Sequence, residues 1–385
     1  MAIAQKEEYD LIILGGGAAG IFAACHAAKF ARVLVVEKTA QLLSKVRISG
    51  GGRCNVTHSC FDPRELTQNY PRGSKELLGP FHKFGPQETI DWFSSRGVKL
   101  KTEKDGRMFP VTNSSETIIN CLLKEAETLG VEIRTRTRIQ SITKTENGFQ
   151  LDNLHTKKLL LATGSSFQGH NFAKSLGHTI IDPVPSLFTF NVPNSPLKEL
   201  SGISVPAKLT LDHFTQTGPL LITHFGFSGP AALKLSAFAA RHLAEKKYCT
   251  PLTINWLPNF SPEQIKNANP KKLLSSENLL PKSLWKTLIG PIGEKKIATL
   301  SNQEIGQLTK KLQADTYQVE GKTTNKEEFV TCGGIPLREV NFKTMESKIC
   351  PGLHFAGEIL DIDGVTGGFN FQNAWTTSFL AGTKT

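Results

Sequence analysis

The stretch from Asp10 to Glu37 constrains the fold more than any other part of the chain. An apolar run, Leu11-Ile12-Ile13-Leu14, leads into Gly15-Gly16-Gly17-Ala18-Ala19-Gly20, and an Ala-rich segment and a second apolar run follow. This order predicts a strand, a tight turn, a helix and a second strand. Glu37 ends the second strand, about 20 residues after the turn, where an acid accepts hydrogen bonds from a ribose. The pattern indicates dinucleotide binding.

Each glycine of this turn has its own structural purpose. Gly15 lets the chain turn sharply, Gly17 lets the backbone approach a pyrophosphate, and Gly20 lets the helix pack closely on the sheet. The free amides at the start of the helix would hold the phosphates. A carboxylate at position 37 favours FAD or NAD over NADP, because NADP carries a 2′-phosphate. The alternative is a glycine-rich turn that binds no nucleotide.

Length and composition indicate a soluble protein of two or three domains. The chain has 385 residues, 39% of them hydrophobic and 21% charged, as in soluble globular proteins. No apolar stretch approaches the roughly 18 residues of a membrane span. The N-terminus has charged residues instead of a signal-peptide core. We therefore expect a cytoplasmic protein.

The seven cysteines and the net charge of +11 exclude some functions and leave others open. The cysteines have no CxxC spacing, which argues against a disulfide framework, a zinc site or a CxxC redox pair, and we expect no bound metal. The charge is compatible with a solvated basic surface or with a site for a polyanion, and no run of five basic residues decides between them.

Hydrophobic periodicity predicts how the chain is organised. Residues 115–129 form a helix that ends at Gly130, residues 63–97 are helical and polar, and residues 38–58 form a loop. The last helix covers residues 371–381. Short strands are predicted at residues 98–101, 107–110, 131–134, 138–144, 150–151, 158–161, 187–192, 207–211, 220–223, 327–332 and 353–356.

From Pro183 the composition changes, because prolines punctuate a series of short β-like runs. This change predicts an inserted, mostly β domain with a small helical subdomain. Together with the N-terminal fingerprint it predicts an α/β fold, in which a discontinuous Rossmann-like FAD/NAD(P)-binding domain carries the insertion. The nucleotide-binding domain covers residues 1–188 and 334–385. The inserted β domain covers residues 189–257 and 315–333, and the Lys-rich helical subdomain covers residues 258–314.

Three further glycine-rich segments carry chemical information. In residues 45–57, three successive glycines bring bare amides close to a flat or anionic group, and Lys45, Arg47 and Arg53 add positive charge. Residues 357–364 form a Gly-Glu and Asp-Ile-Asp-Gly segment. Residues 365–374 open the last helix, whose N-terminal dipole would face an anionic or electron-rich ring edge.

Together with residues 106–110, 162–164, 223–230 and 344–348, these segments resemble the BaiN/YhiN-like family of NAD(P)/FAD-dependent oxidoreductases, which are aminoacetone-oxidase-type FAD-binding proteins. The resemblance runs nearly end to end. The Gly-Arg-Cys-Asn loop at residues 52–55 and the Asp-Ile-Asp-Gly segment are more specific than the N-terminal turn. The resemblance implies an FAD domain, an inserted barrel-like β domain and a helical cap.

The resemblance also implies roles for individual residues. Gly15, Gly17, Ala19 and Gly20 would hold the pyrophosphate, Glu37 the ribose and Lys38 the adenine. Gly51, Arg53, Cys54 and Asn55 would lie near the flavin, and Ile139 near the adenine. Ala162, Thr163 and Gly164 would form a second nucleotide-facing turn, Gly357 and Glu358 would bind the ribityl chain, and Gly368, Asn370 and Phe371 would offer amides to the isoalloxazine ring. The predicted cofactor set also includes Ala18, Lys45, Gly52, Asp363 and Gly367.

The chain departs from the family pattern at residues 165–170, which puts the family's substrate in question more than its cofactor. Arg53 and His224 are the candidate catalytic residues, with a structural ion pair and a loop histidine as the respective alternatives. Cys54 is either a redox thiol or a packed side chain. Asp361 and Asp363 are either acid–base groups or helix and loop ties.

These features predict an FAD-dependent oxidoreductase that transfers hydride to or from a small molecule, by C=C reduction or amine oxidation. No second dinucleotide fingerprint is visible, so the reducing equivalents would come either from NAD(P)H that docks transiently or from the substrate, with oxygen as the acceptor. The alternatives are a flavoprotein of RNA (tRNA) modification and a flavin-binding protein without catalysis. We favour a small-molecule substrate over nucleic acid and expect no membrane partner. The sequence carries no signal for the oligomeric state.

Overall fold

The computed structural model describes residues 7–323 and 330–384, and the chain divides into two compact units, Met1–Val184 with Lys326–Thr385, and Pro185–Asn325. The strands are β1 Glu7–Leu14, β2 Val33–Val36, β3 Thr57–His58, β4 Leu100–Thr102, β5 Arg107–Pro110, β6 Glu132–Arg134, β7 Ile142–Thr145, β8 Gly148–Leu151, β9 Leu154–Leu161, β10 Ile181–Ser186, β11 Thr189–Asn191, β12 Ser204–Leu211, β13 Phe214–Thr223, β14 Gly226–Ser228, β15 Cys249–Asn255, β16 Asp315–Glu320, β17 Lys322–Thr323, β18 Val330–Gly334, β19 Val340–Asn341, β20 Glu346–Ser347 and β21 Leu353–Phe355.

The α-helices are α1 Ala18–Ala27, α2 Ser44–Gly52, α3 Pro63–Thr67, α4 Ser74–Phe81, α5 Pro86–Ser94, α6 Ser115–Thr128, α7 Phe167–Ser175, α8 Gly229–Phe238, α9 Ala240–Glu245, α10 Pro262–Lys266, α11 Lys282–Ile289, α12 Asn302–Gln313 and α13 Phe369–Lys384. Within the described ranges, none of these helices is both long and apolar enough to cross a bilayer.

The first unit is built on a sheet whose central strands are parallel, in the order β21-β9-β1-β2-β6. The antiparallel strands β19 and β20 extend one edge, and β7 and β8 attach to β9. Strand β2 and the second half of β1, residues 11–14, are fully apolar because both faces of the sheet are covered there. Strand order reverses between β1 and β9, and a Rossmann-like sheet binds its nucleotide at such a point. The predicted Rossmann-like α/β fold is confirmed.

Helix α6 shows how the local sequence sets an element of this unit. Ser114 caps its first turn by accepting the amide of Glu116 at 3.3 Å, and the buried residues Ile118, Ile119, Leu122 and Ala126 recur at helical spacing. The helix covers the segment that periodicity predicts.

The second unit contains an antiparallel sheet, ordered β16-β15-β12-β13-β14-β11-β17 among the described residues. Its inward side chains alternate along β12 and β15, and together with α8 they enclose an aromatic and aliphatic core. Helices α10, α11 and α12 lie within residues 258–314, and each of them buries one apolar face.

Several boundaries differ from the sequence predictions. Residues 38–58 contain helix α2, because Val46 is buried and starts a helical turn before the glycines interrupt it. Residues 142–145 replace the longer strand expected at residues 138–144, and β9 begins four residues early. Residues 327–329 of the strand expected at 327–332 lie outside the described residues. Its remainder, in β18, groups with the first unit because β18 pairs with β10.

Candidate functional site

Three glycine-containing turns lie side by side at the carboxyl ends of parallel strands. Leu14 pairs with Leu161, and Leu161 pairs with Phe355, so that β1, β9 and β21 end at the same level. The amide of Ala162 donates to the carbonyl of Leu14 at 2.9 Å. The sheet therefore brings residues 15–20, 162–164 and 357–359 together, as the N-terminal fingerprint and the two distant motifs require.

The first turn leaves an open cradle above the start of α1. A Cβ on Gly15 would lie 2.4 Å from the carbonyl oxygen of Ala162, and a Cβ on Gly20 would lie 1.8 Å from that of Gly15, so neither position has room for a side chain. A Cβ on Gly17 would meet nothing within 4 Å. Within the described residues, the amides of residues 17–20 have no acceptor, and Gly17 caps α1 without a side-chain bond. Bare amides beside open space suit a pyrophosphate.

Glu37 is held at the end of β2 by the turn itself. One of its carboxylate oxygens accepts the amide of Gly16 at 2.8 Å, and the other accepts the amide of Thr39 at 2.8 Å. Lys38 is exposed beside it. Ile139 is buried, and its carbonyl accepts the side-chain amide of Gln168 at 2.7 Å. The carboxylate of Glu37 is therefore fixed next to the cradle.

The third turn lies directly against the first turn of α1. A Cβ on Gly357 would be 2.8 Å from the methyl group of Ala19, and the amide of Gly357 donates to Thr377 Oγ1 at 3.0 Å. Glu358 forms an ion pair with Lys45 and accepts the amide of Thr331 at 3.1 Å. Residues predicted to bind one cofactor from both ends of the chain thus come together.

The side chain of Asn370 closes the loop before α13 with two hydrogen bonds. The amide of Gly364 donates to Asn370 Oδ1 at 2.8 Å, and Asn370 Nδ2 returns a bond to the carbonyl of Gly364 at 2.9 Å. The side-chain oxygen of Asn55 accepts the amide of Gly368 at 2.9 Å, while its nitrogen faces two carbonyls. The amide of Gly368 thus faces Asn55, and the amides of Asn370 and Phe371 are the ones at this turn that remain without an acceptor in the described part of the chain. Gly367 is buried next to this turn.

The glycines at positions 50–52 form a bend after the first turn of α2. All three have positive φ values, and Ser49 before them is extended. A Cβ on Gly51 or Gly52 would meet nothing within 4 Å. This bend presents bare backbone to open space, as the sequence predicts, although within an interrupted helix.

The basic residues of this region are paired with carboxylates. Arg53 lies over the ring of Phe109, 4.0 Å from its centroid, and donates to Glu103 at 2.7 Å. Arg47 is paired with Glu116. Arg53 thus has the structural ion pair that was the alternative to a catalytic role.

Cys54 is completely buried in a left-handed backbone conformation. Burial raises the pKa of its thiol to about 12, an effect that the nearby Ser49 hydroxyl only partly opposes. A thiol of this kind is protonated at neutral pH and is a poor nucleophile. The structure favours packing over a redox role.

Asp363 forms a buried ion pair that the sequence does not reveal. Arg72 Nε donates to one carboxylate oxygen at 2.5 Å, and a second guanidinium nitrogen contacts the other oxygen. Tyr70 donates its hydroxyl to the carbonyl of Phe369 at 2.6 Å. Asp361 is also buried. Arg72 and Tyr70 therefore belong to the support of the α13 start, and neither lies in a motif that would identify it.

The remaining candidates lie elsewhere. His224 is exposed on the turn between β13 and β14 in the second unit. The divergent residues 165–170 form the start of α7, with Phe167 exposed and His170 buried, and burial lowers the pKa of His170. The hydroxyl of Thr163, on the second turn, is buried and has no hydrogen-bond partner among the described residues.

The residues present fit FAD. The cradle that a Cβ on Gly17 would fill and the unused amides at the starts of α1 and α13 lie on the motifs assigned to the cofactor. A dinucleotide with a pyrophosphate and a ring edge that accepts hydrogen bonds would satisfy these groups.

Comparison with known proteins gives consistent matches over the whole chain. The family model described as HI0933-like protein Rossmann domain matches residues 9–384. A ribosomal RNA dihydrouridine synthase from Escherichia coli K12 is 31% identical over 401 residues, covering 97% of each chain. A 3-dehydro-bile acid delta(4,6)-reductase from Clostridium scindens is 28% identical, covering 96% of this chain and 97% of the relative.

Among solved structures, a 3-ketosteroid-delta4-(5alpha)-dehydrogenase from Rhodococcus jostii RHA1, in complex with 4-androstene-3,17-dione, matches with a TM-score of 0.53. The alignment covers 100% of this chain and 98% of that one at 15% identity. At this identity the likeness concerns the fold alone.

Proposed function

The chain belongs to the HI0933-like Rossmann family of FAD-dependent oxidoreductases, and from this membership we propose that it reduces a carbon–carbon double bond conjugated with a carbonyl group. FAD, when bound, supplies reversible hydride transfer. The chain's own residues would bind the cofactor and orient it.

One observation carries the choice of reaction. Two relatives that match almost their full lengths are named for different substrates, ribosomal RNA and a bile acid. Both names denote addition of hydrogen to a double bond conjugated with a carbonyl group, in a uracil ring and in a 3-keto steroid. A reaction common to both supports reduction over amine oxidation, while the substrate differs between them.

The proposed cofactor residues divide by the chemistry that they offer. The amides at Gly17–Gly20 would hold the pyrophosphate, and Glu37 would accept ribose hydroxyls from a position that Gly16 and Thr39 already fix. The free amides of Asn370 and Phe371 would donate to the electron-rich edge of the ring. The other residues predicted to bind the cofactor would line the site or hold its loops in place.

NAD(P)H is the proposed reductant. Only the fingerprint at residues 15–20 follows a strand in the way that a dinucleotide site requires. Because that fingerprint is assigned to FAD, NAD(P)H would dock transiently against the FAD-loaded protein and would supply the hydride.

A second candidate is narrower and names uridine in RNA as the substrate. Residues 185–325 contain sixteen Lys and Arg against nine Asp and Glu, which gives this unit a net charge of +7 out of +11 for the chain. Positive charge of this kind favours a polyanion. The 31% identical relative supports this candidate. A neutral enone contains the same kind of reacting double bond as uridine, so the type of bond does not favour either candidate.

Anaerobic reduction of the FAD-loaded protein tests the proposal. We expect NADH or NADPH to bleach the flavin absorbance, and 2-cyclohexen-1-one or a uridine-containing RNA to restore it. Bleaching by a primary amine in the absence of NAD(P)H would overturn the proposal in favour of amine oxidation. Purified protein that binds no added FAD would overturn the cofactor assignment itself.

A further inference from the structure

Two Lys-Lys pairs that are distant in sequence become neighbours in the second unit. Leu274 donates its amide to the carbonyl of Lys295 at 3.0 Å, and Ile297 donates to the carbonyl of Lys272 at 2.9 Å. A β-bridge between Leu273 and Lys296 fixes the antiparallel register. We name the surface formed by Lys271, Lys272, Lys295 and Lys296 the lysine patch.

The ammonium groups of this patch are directed to solvent and mostly unpaired. All four lysines are exposed. Lys295 contacts Glu304 at 2.6 Å, whereas Lys271, Lys272 and Lys296 form no ion pair with any residue that the structure describes. Residues 258–314 contain nine lysines and four glutamates, so the acidic residues of this segment do not neutralise the patch.

The apolar residues beneath the patch are buried and fix its position. Leu274 and Ile297 point into the core of the unit, and the indole N–H of Trp285 donates to the carbonyl of Leu274 at 3.2 Å. This bond holds α11 against the patch, and α11 adds exposed Lys282 and Lys286 one turn apart. The patch is thus a group of cations on a fixed backbone, with Leu274 and Ile297 turned inward and Leu273 39% exposed between the cations.

We propose that the lysine patch binds the phosphate backbone of RNA, and this inference rests on the RNA form of the proposed function. Several fixed, exposed cations suit a repeating polyanion, because each neutralised phosphate releases counterions. Insertion into a membrane surface needs a broad exposed apolar face beside the cations, whereas α11 buries its apolar face and the patch exposes a single apolar side chain, Leu273. The patch supplies affinity and position, while the reacting base is recognised elsewhere.

Fluorescence anisotropy with the FAD-loaded protein tests this surface. The probe is a fluorescein-labelled RNA hairpin of about 30 nucleotides with a uridine-rich loop, titrated at several KCl concentrations. The variant K271Q/K272Q/K296Q removes three unpaired cations. We expect its Kd to rise about 10- to 100-fold and the slope of log Kd against log[KCl] to fall by about 2, at roughly 0.7 for each lost phosphate contact.

The matched control removes three exposed lysines of the first unit, as K75Q/K83Q/K124Q, with the same loss of charge. We expect this control to change Kd less than about 2-fold. Equal weakening by both variants would overturn the proposal, because net charge alone would then explain binding. Cosedimentation of the protein with phosphatidylserine vesicles, without RNA binding, would overturn it in favour of a membrane surface.

Flavin reduction by NAD(P)H and reoxidation by 2-cyclohexen-1-one are measured on the same samples. If both remain intact while the patch variant binds RNA like the wild type, the patch is refuted and the proposed reaction stands. If both fail in the wild type while RNA binding depends on the patch, the proposed reaction is refuted instead.

Discussion

Arg72 and Asp363 are 291 residues apart in the sequence and form a buried ion pair with two contacts beside the start of α13. The carboxylate of Asp363 is completely inaccessible to solvent, and the guanidinium is 11% exposed. Tyr70, two residues before Arg72, binds the carbonyl of Phe369. The segment at residues 70–72 thereby fixes the loop whose amides are assigned to the flavin.

Replacing Asp363 with Asn is expected to destabilise the protein and release FAD. The change leaves the Arg72 guanidinium buried without its counter-charge, which costs about 3 to 5 kcal/mol in proteins. Urea unfolding and the FAD content per chain measure both effects. Glu125→Gln breaks the more exposed pair with Arg96 and serves as the control, with an expected cost of about 1 kcal/mol or less. Full FAD retention in D363N would show that the pair does not position the loop.

Gly17→Ser separates cofactor binding from folding. Gly17 has an ordinary extended backbone and no atom within 4 Å of its added Cβ, and Ser is a favourable N-cap for α1. We therefore expect unchanged or slightly higher stability of the FAD-free protein and an FAD affinity at least about 10-fold weaker, about 1.4 kcal/mol. Calorimetric titration with FAD measures the affinity. The control Gly79→Ala adds a Cβ to open space in α4 and should leave the FAD affinity unchanged. If G17S binds FAD as tightly as the wild type, the assignment of the cradle to the pyrophosphate is wrong.

Cys54→Ala should retain flavin turnover. The thiol is buried, and burial raises its pKa to about 12, so it supplies no thiolate near neutral pH. We expect kcat for reduction by NAD(P)H within about 3-fold of the wild type, equivalent to less than about 0.7 kcal/mol. In the native protein, a thiol reagent should modify exposed Cys249 and spare Cys54. A loss of turnover in C54A with FAD still bound would revive the redox role.

His26→Phe should make the protein less sensitive to acid. Burial lowers the pKa of His26 to about 3 from 6.5, so the unfolded chain takes up a proton as the pH falls below 6.5 while the folded protein does not. The free energy of unfolding therefore decreases as the pH is lowered from about 6.5 to 3, and at pH 4.5 it is about 3 kcal/mol smaller than at neutral pH. Above pH 6.5 this loss is absent.

A phenyl ring preserves the contacts of His26 with Phe22 and Phe379, at centroid distances of 4.8 and 5.0 Å, and removes a buried nitrogen that has no partner among the described residues. We expect H26F to be about 1 kcal/mol more stable at pH 7.5 and the difference to grow at pH 5. Urea unfolding at both values checks this. Parallel pH curves for the two proteins would contradict the assigned burial effect.

The sequence predicts those parts of the site that depend on local geometry. The spacing of Gly15, Gly17 and Gly20 already specifies a turn, an open cradle and a close helix contact, because each requirement acts within six residues. Periodicity likewise predicts α6. The family resemblance added the turns at residues 162–164 and 357–358, which the register of β1, β9 and β21 brings beside the first.

Contacts between distant residues could not be predicted in this way. Arg72 has no motif, and only the fold brings it to Asp363. The side-chain oxygen of Asn55 accepts the amide of Gly368 because β3 passes beside that turn, and nothing in the local sequence indicates this contact. The sequence pattern of β18 indicates a strand but does not say which strand it pairs with. In the structure β18 pairs with β10 and belongs to the first unit. The sequence did not predict helix α2, because the three glycines give this segment a low helix propensity that the apolar residue Val46 does not offset.

The contact of Gly357 with Ala19 has a consequence for biosynthesis. The ribosome releases Ala19 early and Gly357 more than 300 residues later, so the nascent chain carries the first turn without the third through most of its translation. During that time β9 has an open edge where β21 will pair, and such an edge invites association with other chains. The three turns therefore come together only late in translation, and we expect FAD to bind to chains whose last helix has formed.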